Sequence, residues 1–139
     1  GVVRTRGNPY THLVLRGGNS GPNYGPAQVA AAAQALTKAK INARMLVDCS
    51  HDNSGKDHLK QPEVLAEIGA QLRSGSSHLL GVMIESNIAG GKQELTDDKS
   101  KLNYGQSITD GCVDFATTER MLEQFADDAT HRNPTRATA

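Results

Sequence analysis

A chain of 139 residues has room for one ordinary domain. Fifteen Lys and Arg balance fifteen Asp and Glu, which argues against a nucleic-acid or polybasic membrane binder, since both need surplus positive charge. Hydrophobic residues make up 37% and aromatics 4%, with no Trp, so the core must be aliphatic and rich in alanine.

The first predicted element is a strand over 10–16, closed by Gly17-Gly18. A loop over 19–25 leads to Pro26, which suits the first turn of a helix with Val29, Ala32, Ala33, Leu36 and Lys40 on one face. A second strand is expected over 43–48, followed by a polar loop over 49–60. Pro62 opens the next helix, where Val64, Leu65, Ile68 and Leu72 recur at helical spacing before Ser74-Gly75. The stretch 79–84 is almost unbroken apolar and reads as a strand buried on both faces. A polar stretch over 85–114 is too long for a simple connector. Thr117 or Thr118 is the expected cap of a last helix, with Glu119 in its first turn and Met121, Leu122, Phe125 and Ala129 along one side. Residues 130–139 lack periodicity and read as a flexible tail.

The strands end near 16, 48 and 84, a recurrence of about 32 to 36 residues that matches successive βα units of a parallel sheet. Three such units close nothing, so the α/β chain reads as three consecutive units of something larger. No apolar run approaches the ~18–20 residues of a membrane span. Cys49 and Cys112 lie in no CxxC pair, and free thiols in a cytoplasmic protein are expected.

Polar residues cluster just past each strand: Arg16, then Asp48 and His51, then Glu85. This is the edge where α/β active sites assemble. His51 and Glu85 are nitrogen and oxygen ligands suited to a divalent transition metal, and Asp110 can complete the set from the following loop. Arg16 can pair bidentately with a carboxylate or phosphate, with Gly17 and Gly18 letting a ligand approach the backbone. A strand-end salt bridge is the competing reading. Lys56 either adds positive charge to the same ligand or is simply solvated. His12, mid-strand, and His58, in a polar loop, read as structural, whereas His78 and His131 carry no signal.

Six strings occur in fixed order: Leu13-Val-Leu-Arg16-Gly-Gly18, Pro22-Asn-Tyr24, Val47-Asp-Cys-Ser-His51 with Asn53-Ser54, Gly81-Val-Met-Ile-Glu85-Ser86, and Tyr104-Gly-Gln-Ser-Ile-Thr-Asp110. Through them the chain closely resembles the carboxyl-terminal part of the first-class 3-deoxy-D-arabino-heptulosonate 7-phosphate (DAHP) synthases, over 1–127. The resemblance implies the last three βα units of a (β/α)8 barrel, occupying 1–129, preceded by half of an inserted hairpin. Gly1 without a Met fits such a start. The implied reaction condenses phosphoenolpyruvate with erythrose 4-phosphate, releasing phosphate, as the first step towards the aromatic amino acids.

By resemblance, His51, Glu85 and Asp110 match metal-ligand positions, and Arg16 matches a phosphoenolpyruvate-binding arginine. His51 and, with a weaker claim, Lys56 fall among the catalytic residues. The cofactor implied is one divalent ion, with Mn, Fe, Co and Zn undistinguished, and His51 must be neutral to coordinate it. The family's fourth ligand, a cysteine on the first strand, and its Lys-Pro-Arg-Thr motif are absent, and neither Cys49 nor Cys112 matches that ligand. The 139-residue chain alone is therefore expected to be inactive. Val2 and Val3 fall where the inserted hairpin helps to bind an aromatic amino-acid inhibitor. Open strand edges lead us to expect a homo-oligomer or association with a partner. The rival reading is a non-catalytic half-barrel module that binds anions or docks on another chain.

Overall fold

Three short β-forming runs, each followed by a helix, organise the molecule, and the computed structural model describes residues 1–132. In chain order they are β1 (Leu13–Leu15), α1 (Pro26–Lys38), β2 (Met45–Asp48), α2 (Gln61–Arg73), β3 (Leu79–Met83) and α3 (Phe115–Thr130). The strands form one parallel sheet in the order β1-β2-β3, with Leu15 beside Val47 and Asp48 beside Met83. This register brings all three carboxyl ends to one edge. Residues 133–139, most of the expected tail, lie outside the described residues.

The core forms around β2, where Met45 and Val47 are buried against Val64, Leu65, Ile68 and Leu72 of α2. The helical stripe expected of α2 is thus the one it buries. In α1, Val29 and Ala33 are buried and Ala32 and Leu36 packed against the core. Lys40, expected on that face, lies past the helix end in the left-handed region, with φ of 57°.

Other expectations are corrected. β1 holds only three residues, and His12 lies before it, exposed. β3 is an edge strand with a register irregularity at Leu80, and among the described residues it is not covered on both faces: Leu80 is 46% exposed and Met83 43%. α3 begins earlier than expected, at Phe115, because Asp114 caps it by accepting from the Thr117 N–H. Its buried face carries Met121, Phe125 and Asp128, which leaves Leu122 and Ala129 in solvent.

Candidate functional site

Past β2 the chain turns back sharply instead of running on. His51 has φ of 52° and Lys56 φ of 62°, left-handed values that non-glycine residues adopt at a cost. Hydrogen bonds hold the turn: the Lys56 N–H donates to the His51 carbonyl at 2.7 Å, and the Ser54 hydroxyl donates to the same carbonyl. Asn53, buried beneath it, donates to the carbonyls of Leu15 and Asp48 and accepts from the Asn23 N–H. One amide thereby clamps the ends of β1 and β2 together. Gly17 is required for this, since a Cβ there would meet the backbone of Asp52 and Asn53 at 2.8 Å. The close approach expected of a ligand at Gly17 is instead the approach of the protein's own turn.

The turn presents the His51 imidazole in one orientation. Its Nδ1 lies 2.7 Å from Oδ2 of the buried Asp48, whose carboxylate accepts the Nδ1–H. The other oxygen, Oδ1, accepts from the Ser50 N–H and hydroxyl. The other ring nitrogen, Nε2, faces outward, 3.6 Å from Glu85 Oε1. A carboxylate behind a histidine in this way is the usual support of a metal-binding imidazole.

Glu85 follows β3 directly. The long polar stretch behind it folds back on itself: Val113 N–H donates to the Glu85 carbonyl, Gly91 and Cys112 exchange backbone bonds, and Gln93 N–H reaches Ser107. That return places Asp110 beside Glu85. One donor atom each from His51, Glu85 and Asp110 lies within 4.8 Å of the others. Burial pushes the Glu85 carboxyl above its ordinary value; His51 acts in the opposite direction, while Asp110 and Asp48 add to the rise. A mixed N/O set with crowded carboxylates fits a divalent cation, which would relieve the repulsion among them.

This cluster forms one wall of a cavity of about 420 Å³, completed by Arg16, Ser50, Ser54, Lys56, His58, Lys92 and Gly111. Among the described residues Arg16, Lys56 and Lys92 take part in no salt bridge, which disfavours the strand-end salt bridge for Arg16. Three cations beside a metal-type cluster suit a multiply charged anion. His58 lines the cavity and packs on Gly111. No local sequence pattern marks Lys92, because its place in the cavity depends on the stretch after Glu85 folding back. Cys49 and Cys112 are free thiols outside the cluster. Burial, reinforced by Asp48, pushes the Cys49 thiol up to about 12, far from a ligating thiolate.

Parallel strands that gather such groups at their carboxyl ends define an α/β protein of the kind whose active sites sit on that edge. The chain belongs to the DAHP synthetase I family, whose model matches residues 1–123. It is 47% identical over 131 residues to a phospho-2-dehydro-3-deoxyheptonate aldolase of Corynebacterium glutamicum, covering 90% of this chain and 35% of that protein. A tyrosine-inhibited phospho-2-dehydro-3-deoxyheptonate aldolase of Schizosaccharomyces pombe is 46% identical over 129 residues, covering 91% and 35%. Among solved structures, the phospho-2-dehydro-3-deoxyheptonate aldolase of Francisella tularensis superposes with a TM-score of 0.87 at 48% identity, covering 93% of this chain and 37% of that one. The chain thus spans about a third of the length of these relatives.

Proposed function

We propose that residues 1–129 are the last three βα units of a (β/α)8 barrel and that the whole barrel is a cytoplasmic DAHP synthase. It would condense phosphoenolpyruvate with erythrose 4-phosphate to DAHP and phosphate. The observation that carries this reading is the convergence of His51, Glu85 and Asp110 beside Arg16 and Lys56 in one cavity of a member of this family. His51 through Nε2, Glu85 and Asp110 would hold the divalent ion. When bound, that ion supplies Lewis-acid polarisation of the aldehyde carbonyl. Arg16 binds the phosphoenolpyruvate anion and Lys56 adds positive charge beside it, so the two reactants are held together. Asp48 keeps the His51 Nδ1–H engaged and Nε2 free. The free edges of β1 and β3 support association, either with the rest of a barrel or with a second copy. The exposed Val2 and Val3, with the tyrosine-inhibited name of one relative, support an aromatic amino-acid inhibitor.

Two measurements test this reading. Calorimetric titration with Mn2+ should show binding that His51→Ala abolishes; equal binding by both forms overturns the ligand assignment. The 139-residue chain alone should release no phosphate from the two substrates, and turnover at a normal enzymatic rate refutes the dependence on missing strands.

A further inference from the structure

Gln61 is the first residue of α2 and is 0% exposed, a polar side chain placed wholly in the interior. Its partners lie 24 residues further along the chain: the Glu85 N–H donates to Gln61 Oε1 at 2.9 Å, and Gln61 Nε2 donates to the Glu85 carbonyl at 3.0 Å. A primary amide offers an acceptor and a donor side by side, so the pair copies a rung of sheet ladder just beyond the end of β3. The same Glu85 carbonyl accepts from the Val113 N–H at 2.9 Å, and Val113 lies three residues past Asp110. Gln61 therefore fixes the backbone of one donor directly, at the point where the segment carrying another is tied.

Packing alone does not call for this amide. A methionine would fill similar space without burying a polar group, and burying an amide is unfavourable unless both of its ends are bonded. Here both ends are bonded, and both to Glu85. We infer that Gln61 is a positioning residue for the cluster: its amide sets where Glu85 stands, and so the geometry that His51, Glu85 and Asp110 offer a divalent cation. The inference rests on the reading of those three residues as ligands.

The first test uses the unaltered chain without metal. The Glu85 amide should exchange with solvent deuterium far more slowly than a free peptide, and exchange at the free rate overturns the proposal. The second compares Mn2+ affinity, by calorimetry, and the visible absorption of bound Co2+ across variants. Gln61→Met keeps the length and loses the amide; it should bind Mn2+ about 10–100-fold more weakly and shift the Co2+ bands. Gln61→Asn keeps an amide one methylene short of Glu85 and should weaken binding in the same way. Ile68→Val, a buried change on the same helix, should bind as the unaltered chain does. Unchanged affinity and bands in Gln61→Met or Gln61→Asn overturn the positioning role and leave the ligand set standing. Failure of the unaltered chain to bind Mn2+ overturns the ligand set, and this inference with it.

Discussion

β2 and β3 make an instructive pair, because the more hydrophobic strand is the less buried. β2 carries Met45, Leu46 and Val47, with Met45 and Val47 fully buried. β3 runs Leu-Leu-Gly-Val-Met, yet of its five residues only Leu79 is buried. Position in the sheet accompanies the difference: among the described residues β2 has a strand on either side, whereas β3 has one neighbour. An apolar run with so little cover is a composition suited to more neighbours than the described residues supply. The contrast teaches that the apolar run of β3 is not matched by cover from the described residues.

The comparison can be broken most directly by paired truncations. Met45→Ala should cost about 2–5 kcal/mol in urea denaturation, the range for emptying a packed core position. Met83→Ala should stay within about 0.5 kcal/mol, as expected of a surface change. Should the two cost alike, β3 is covered in solution by another chain or a second copy. The effect at Met83 would then depend on protein concentration.

A smaller effect is expected where α3 meets α2. The buried Asp128 carboxylate pairs with Arg73, accepts from Gln124 through Oδ1, and leaves Oδ2 without a hydrogen-bond partner among the described residues. Gly69 makes room for it, since a Cβ there would collide with that carboxylate. Arg73→Met strands the buried charge and should cost about 1–3 kcal/mol, below the full penalty for a broken buried pair because Arg73 is itself partly exposed. Denaturation of this variant alongside Met45→Ala checks the order; a neutral Arg73→Met would show that the pair contributes nothing to docking α3.

What was legible in the sequence follows from the range over which each signal acts. The three strand ends, the α2 stripe and the cluster of Arg16, His51, Glu85 and Asp110 are visible because period and punctuation are local, and because the motif strings are specific. The role of Gln61 is not visible, since its partner is 24 residues away and a glutamine opening a helix looks solvated. Lys92 and His58 reach the cavity only after the stretch beyond Glu85 folds back. On α3 the apolar Met121, Leu122, Phe125 and Ala129 spread over about 100° of arc, and the helix buries the Met121, Phe125 and Asp128 side of it. Contact with Arg73 draws Asp128 to that buried side, and no rule of hydrophobic periodicity places an aspartate in a core.

The least expected effect is a pH dependence at the start of α3, on the far side of the same comparison. Asp114 accepts from the Thr117 N–H at 2.6 Å, and hydrogen bonding to Thr117 holds its half-buried carboxyl below the ordinary aspartate value. In the unfolded chain the carboxyl returns to that ordinary value. Between the two values the unfolded state carries the proton and the folded state does not, so stability rises with pH across that window. The contribution is complete above the unfolded value and disappears as the pH falls through the depressed folded one. Asp114→Ala removes the cap together with this acid-side slope, while Met83→Ala should leave the slope intact. Melting temperatures of both variants from pH 2 to pH 6 decide the matter, and an unchanged slope in Asp114→Ala would assign the acid sensitivity to another carboxylate.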